Sequence, residues 1–396
     1  MSAHRTVDTA GGPLRVVQVG AGEMGRAWLA AAADDPDVEL VGVVDLDLDV
    51  ARAGAAAAGT ADLPVGTDVV EVARASGAHA VLDVTVPAAH HPVTVQALTA
   101  GLPVLGEKPA AASVAEALSL VATAEVTGEL FLVSQSRRRD DRLVAFRAHL
   151  DLLGDVGMLA TQFARAPHFG GFREQMDDVL LLDMAIHPFD SARYLLGREP
   201  LAVTCQSWNP SWSWYRGDAA ASALFEFEGG ARYSYDGSWC SPGAETSWNG
   251  AWRASGEHGT ALWSGDDAPV SDLDGRPGGP APREGLGDGI AGSLQAFVRA
   301  LREGGPVDGE VHGNVLSLAM VEAAITSTRE RRRVEIDEVL DAAHAAAIAR
   351  ESRPEVADRL RSWSSAREAL TMTDSPATTS TTPAPAPTGP TAGGAR

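Results

Sequence analysis

Cysteine is almost missing from this chain: Cys205 and Cys240 are the only two in 396 residues. Two thiols cannot build a disulfide framework or a cysteine-rich zinc module, so both are expected as ordinary buried side chains. Long apolar runs are missing as well. No stretch approaches the ~18 apolar residues of a membrane span, and Met1 to Gly12 lacks the apolar core of a secretion signal. The expectations are a cytoplasmic protein and no membrane partner. Basic charge is in deficit, with 32 Lys+Arg against 53 Asp+Glu and a net charge of -21. No wide basic footprint is left for a phosphate backbone, which excludes nucleic acid as an expected partner.

What is present is an ordinary globular composition, 45% hydrophobic and 21% charged, over a length that suggests two to three units. Leu14 to Gly20 is a short β-branched apolar run ended by glycine, the look of a buried parallel strand. Glu39 to Asp45, Ala80 to Val86 and Pro103 to Gly106 continue the series. Alanine-rich segments of helical length lie between them. This alternation predicts a doubly wound parallel α/β sheet, a Rossmann domain, over residues 14–137. From Arg138 the texture changes. Alternating segments with Gly-Gly or Asp-Gly turns, such as Val203 to Ser207, Ala221 to Glu228, Ala231 to Ser238 and Trp248 to Gly256, predict an α+β domain with an open, mainly antiparallel sheet over 138–337. Asp266 to Gly289, crowded with Gly, Pro and Asp, reads as a long surface loop. Residues 338–370 read as a helical appendage and 371–396 as a disordered Thr/Pro/Ala tail.

Gly20-Ala21-Gly22-Glu23-Met24-Gly25 fits G-x-G-x-x-G directly after the first strand and at the mouth of the first helix. In that context the first glycine allows the turn and the second lets backbone approach a pyrophosphate. The third lets helix pack closely on strand, while the helix N-terminus supplies N–H donors. Asp45 ends the second strand, twenty residues after Gly25, where it would accept hydrogen bonds from the adenosine ribose hydroxyls. It would repel a 2′-phosphate, which favours NAD and leaves NADP open because Arg52 lies nearby.

Glu107-Lys108-Pro109 follows the strand at Pro103 to Gly106, at the edge of a parallel sheet where ligands collect. Asp183 and His187 are four residues apart, so on a helix they share a face, with Asp190 near it. Together these residues resemble the glucose-fructose oxidoreductase / inositol dehydrogenase family, Gfo/Idh/MocA, from about Leu14 to Ile336. Weaker matches are Thr85-Val86-Pro87 with His91 and Gly256-Glu257-His258-Gly259-Thr260. The resemblance implies NAD(P)-dependent hydride transfer between a nicotinamide and the hydroxyl-bearing carbon of a sugar, cyclitol or related polyol.

On that reading His187 moves the substrate proton, Lys108 donates to the same oxygen and favours a neutral imidazole, and Asp183 orients the group. The cofactor side is assigned to Gly20, Gly22, Glu23, Met24, Gly25, Asp45, Thr85, Pro87, His91, Glu107 and Lys108. Two alternatives are a non-catalytic dinucleotide-binding scaffold and an enzyme that recycles its bound NAD through a keto sugar for C–O cleavage or epimerisation. The adjacent histidines His90 and His91 lack an acidic companion at ligand spacing, so no metal is assigned. The family often has glycines and a small residue just before the Asp/His helix, where this chain has Asp178-Val179-Leu180-Leu181-Leu182, which implies a bulkier pocket wall. Trp208, Trp212, Trp214, Trp239, Trp248 and Trp252 fall in one stretch and suit either sugar stacking or a packed sheet face. Arg137, Arg138, Arg139, Arg165, His168 and Arg173 are the positive groups of which some could reach the cleft, which leaves a uronate or phosphate substrate open beside a neutral one. The resemblance also implies a homodimer or homotetramer.

Overall fold

The computed structural model describes residues 4–279 and 289–371. Of the tail expected over 371–396, Thr371 ends the last helix and residues 372–396 lie outside the described residues, as does part of the expected loop, 280–288. The first sheet has six strands, β1 (Leu14–Val19), β2 (Val38–Val44), β3 (Val65–Gly66), β4 (Ala80–Asp83), β5 (Val104–Glu107) and β6 (Phe131–Ser134). All pair in parallel in the order β3-β2-β1-β4-β5-β6. The connecting helices are α1 (Glu23–Asp34), α2 (Leu48–Ala57), α3 (Val69–Ser76), α4 (Pro87–Thr99) and α5 (Val114–Thr127). The chain reverses its strand order between β1 and β4, which opens a crevice at their C-terminal ends. Side-chain caps start most of these helices: Asp47 on α2, Asp68 on α3 and Ser113 on α5. Helix α1 begins at Gly22 with no such cap, so its first N–H groups stay available.

The second half forms a nine-stranded mixed sheet. It begins with α6 (Asp141–Leu150) and β7 (Val156–Ala164), then a π-helical turn over Leu180–Ala185 that runs into α7 (Ile186–Leu196). Strands β8 (Pro200–Trp208), β9 (Ala220–Phe227), β10 (Arg232–Ser238), β11 (Ala251–Gly256), β12 (Gly259–Trp263), β13 (Val270–Leu273) and β14 (Arg276–Gly278) follow. Helices α8 (Gly289–Glu303) and α9 (Val311–Glu330), strand β15 (Val334–Glu335), and helices α10 (Ile336–Arg350), α11 (Pro354–Ser362) and α12 (Ala366–Thr371) complete the chain. The strand order is β14-β13-β12-β11-β7-β10-β9-β8-β15, antiparallel throughout except for β7 beside β10.

Alternation gives this sheet two unlike faces. Phe225, Phe227, Tyr233, Tyr235 and Trp252 point inward and are buried, with the Phe225, Tyr233 and Tyr235 rings around Phe189 of α7. Met158, Leu224, Leu262 and Val270 point outward and are exposed. The tryptophans divide accordingly: Trp239 and Trp252 are core, whereas Trp208, Trp212 and Trp248 are largely exposed. The expected loop from Asp266 is corrected in part. Strands β13 and β14 form a hairpin that extends the sheet, closed by Asp274 and Gly275 at positive φ. Two short strands flanked by glycine and aspartate leave too little periodicity to be seen in sequence.

Helix α8 returns to the first sheet, where Leu294, Phe297, Val298 and Leu301 share a core with Leu14, Val16, Trp28 and Leu105. The C-terminal helices are clasped to α5 through Glu125. Its carboxylate receives Arg359 Nε (2.8 Å) and Trp363 Nε1 (3.2 Å) from the α11 region and lies 3.3 Å from His312 Nε2. His312 Nδ1 also meets Glu310 at 2.6 Å. Burial opposes the charged ring, but the two carboxylates outweigh it and raise the His312 pKa to about 9. A raised folded-state value stabilises the fold fully below the unfolded value of 6.5 and ceases to do so as pH rises through about 9. Denaturation midpoints are therefore expected to fall between those pH values, and His312→Asn to flatten that decline. An equally steep decline in the variant would refute the assignment.

Candidate active site

The glycine-rich loop has the shape that a dinucleotide needs. Gly20 adopts φ +90°, and a Cβ there would lie 2.4 Å from the Val84 carbonyl oxygen. A Cβ on Gly25 would lie 2.3 Å from the Gly20 oxygen, so helix and turn touch only because that position is bare. Gly22, by contrast, faces open space. Close turn, open approach and close helix packing are the three glycine roles of this motif, and the residues fit the group. Buried Gln18, absent from the sequence reading, pins the loop by donating from Nε2 to the oxygens of Gly20 and Gly25, both at 2.8 Å. Its signal was available: a lone polar residue inside an apolar strand. Asp45 follows β2 and turns back over the loop, accepting from the Ala21 N–H at 2.9 Å and the Asp47 N–H at 3.0 Å. Glu23 and Met24 are exposed on the first turn of α1.

Lys108 leaves β5 at the crevice. Its Nζ donates to the Asp183 carbonyl oxygen at 3.1 Å and lies 3.4 Å from Asp183 Oδ1. It is the only lysine in the chain, every other Lys+Arg position being arginine. Glu107 does not face the crevice freely. Its Oε1 receives Trp28 Nε1 at 2.8 Å and its Oε2 receives the Lys108 N–H at 3.0 Å, which braces the lysine against α1.

Asp183 lies in the π-helical turn and His187 in the first turn of α7. The wider turn changes the helical phase, and Leu182, Asp183 and His187 become the partly exposed positions. Asp190 is drawn elsewhere, correcting the expectation that it shares this face. It is 1% exposed and accepts from Arg138 Nε and Nη2, both at 2.7 Å, and from Ser317 Oγ at 2.6 Å. Asp183 Oδ2 accepts from Arg173 Nε at 2.7 Å. Burial works to raise the Asp183 carboxyl, and the charges of Lys108 and Arg173 override it, holding the group below the usual range. The His187 ring is driven well below 6.5 by burial first and then by the charges of Arg137 and Lys108. Its Nδ1 is buried with no hydrogen-bond partner. The ring is therefore neutral at neutral pH.

The adjacent histidines point in different directions, and His91 does not take the cleft-lining position expected of it. His91 points away from the crevice: its Nε2 meets Ser119 Oγ of α5 at 3.0 Å, beside Glu351 and Arg353. His90 faces inward, where its Nδ1 meets the Pro109 carbonyl at 2.6 Å and its Nε2 meets the Thr85 carbonyl at 3.0 Å. It joins the loop after β4 to the peptide that carries Lys108. Thr85 is fastened to buried Asp83 by Oγ1 at 2.7 Å, and Pro87 opens α4. Around Arg173 lie exposed aromatic rings, Phe169 and Phe172, with the guanidinium 5.2 and 5.0 Å from their centroids.

Residues 14–135 match a family described as "Oxidoreductase family, NAD-binding Rossmann fold", and residues 150–262 match the "GFO/IDH/MocA C-terminal domain". An uncharacterised protein, y4oX, of Sinorhizobium fredii is 27% identical over 347 residues, covering 82% of this chain and 96% of that protein. Inositol 2-dehydrogenase 4 of Saccharopolyspora erythraea is 34% identical over 195 residues, 48% of this chain and 56% of that enzyme. Among solved structures, an oxidoreductase from Agrobacterium radiobacter in complex with NAD+, L-tartaric acid and magnesium superposes with a TM-score of 0.76 at 20% identity. That match covers 83% of this chain and 99% of the other.

Proposed function

The chain belongs to the Gfo/Idh/MocA oxidoreductases, and on that premise we propose that it is an NAD(P)-dependent dehydrogenase acting on a CH–OH group of a sugar, cyclitol or related polyol. The observation that supports the reading best is a neutral imidazole, His187, near the single lysine, at the C-terminal edge of the parallel sheet. Gly20, Gly22, Gly25 and the N-terminus of α1 would hold the pyrophosphate, and Asp45 the adenosine ribose. When bound, the nicotinamide supplies the two-electron acceptor or donor.

The chain's own residues then have one proton to move. His187 accepts it from the substrate hydroxyl during oxidation, which its neutral form allows. Lys108 has three N–H groups; two are aimed at oxygens of Asp183 and the third remains for the substrate oxygen, where it stabilises developing negative charge. Asp183 fixes Lys108 and Arg173 and keeps spare lone pairs for a neighbouring substrate hydroxyl. The test is nicotinamide absorbance with NAD or NADP against myo-inositol, glucose, sorbitol and gluconate. No absorbance change with any of them, despite bound cofactor, would sink the reading. Product formed without net reduced cofactor would favour internal recycling instead.

The preference for NAD is tested at Asp45. Asp45→Ala is expected to weaken NADH binding by at least ~10-fold and to narrow the gap to NADPH, measured by calorimetric titration, since a charge-assisted bond is worth about 1.5–3 kcal/mol. Unchanged affinities would refute the role. A homo-oligomer is proposed from the outward face of the nine-stranded sheet, where Met158, Leu224, Leu262 and Val270 are exposed. Light scattering at micromolar concentration is expected to give a dimer or tetramer, and a monomer mass would refute it.

A further inference from the structure

Three consecutive arginines leave β6, and the structure uses them differently. Arg138 is saturated by Asp190 and Asp308, and Arg139 donates to the Asp308 carbonyl oxygen. Arg137 has no carboxylate within ion-pair distance among the described residues. Among the described residues its guanidinium makes one side-chain hydrogen bond, from Nη2 to the Met184 sulfur at 3.7 Å. The nearest acid that acts on it, Asp140, is committed to the start of α6. Its Oδ1 accepts the N–H groups of Arg142 and Leu143, and its Oδ2 accepts Asn249 Nδ2. Arg137 nevertheless borders the site: it touches Met184, the neighbour of Asp183 in the π-helical turn, and its charge acts on His187 and Tyr235.

Arg137 is partly exposed and has no counterion among the described residues, which is conspicuous in a chain carrying -21. An anionic ligand would supply the missing charge. Tyr235 of β10 presents a buried hydroxyl with no partner, and burial pushes that phenol above its ordinary range, so it stays an O–H donor. Other arginines near the crevice are already answered, Arg173 by Asp183 and Arg165 by Glu245. One planar fork and one hydroxyl suit the two oxygens of a carboxylate better than a phosphate dianion, which calls for more donors.

We propose that the substrate is a polyhydroxy carboxylate, of the aldonate or uronate kind, whose carboxylate is held by Arg137 and the Tyr235 hydroxyl while the reacting hydroxyl meets His187 and Lys108. This rests on the dehydrogenase reading above and narrows its substrate class. It makes Arg137 the residue that discriminates charged from neutral polyols.

The experiment compares sorbitol, D-gluconate and glucose 6-phosphate on the full chain in two ways: turnover with NAD, and binding in the presence of NADH followed by tryptophan fluorescence. Gluconate is expected to exceed sorbitol in kcat/KM by ~30-fold or more, in line with a charge-assisted bidentate contact. Arg137→Gln should collapse that ratio, and Arg137→Lys should restore part of it. Tyr235→Phe removes a hydroxyl that has no protein partner and should fold normally. It should weaken gluconate binding by ~5–10-fold. Sorbitol equal to or better than gluconate, tighter binding of the phosphate ester, or gluconate binding unchanged in Arg137→Gln would each overturn the inference and leave the dehydrogenase reading intact. Arg137-dependent gluconate binding without turnover of any substrate would support the anion site and count against that reading.

Discussion

Replacing His187 by alanine is expected to lower kcat by about 10²–10⁴, the usual contribution of a positioned acid–base group, while leaving NADH affinity near that of the wild type. The pH profile makes the result specific. Because burial and the charges of Arg137 and Lys108 hold the ring well below 6.5, the base form required for oxidation persists as pH falls through that value. Wild-type oxidation should therefore stay level through pH 6.5 and fail only at markedly lower pH. The reverse reaction needs the rare protonated ring and should slow as pH rises. Steady-state rates in both directions across pH 5–9 test this. Wild-type turnover in the variant, or an acid limb centred on 6.5, would remove His187 from the proposed role.

Asp190→Ala is expected to cost about 1–3 kcal/mol of folding stability, because it removes two charge-assisted bonds from a partly buried guanidinium that keeps only Asp308. The Arg138 side chain is 12% exposed and that of Asp190 2%. The two-bond fork between them joins the segment that follows β6 to α7, and Arg138 also reaches Asp308 ahead of α9. Its neighbour Ser317 loses an acceptor in the same substitution. Urea denaturation of the purified variant measures the difference. A loss below about 1 kcal/mol would mean that water reaches Arg138 easily and that the pair is an ordinary surface contact.

The local parts of this site were legible in the sequence. A strand, a glycine turn and a helix are contiguous, so Gly20 to Gly25 and Asp45 could be placed from spacing alone, as could the crevice position of Lys108. The rest depended on facts that spacing does not encode. His90 and His91 are neighbours, and which of them faces inward depends on the phase at which α4 starts, near Pro87. The π-helical turn alters the 3.6-residue count that linked Asp183, His187 and Asp190. Arg173 meets Asp183 from a loop, and Arg137 is singled out only because its neighbours' counterions come from α7 and the segment before α9. Such long-range pairings leave no periodic trace. The β13–β14 hairpin was hidden for a different reason, its strands being too short to show alternation.

The single lysine has a practical corollary in reagent chemistry. Apart from the chain's α-amine, amine-selective labels have one side-chain target in the whole protein, and that target is partly exposed beside Asp183. Reductive methylation with ¹³C-formaldehyde would place one isotopic reporter on the Nζ of Lys108. Its resonance would follow the crevice directly as dinucleotide and polyol are added, without a substitution anywhere in the chain.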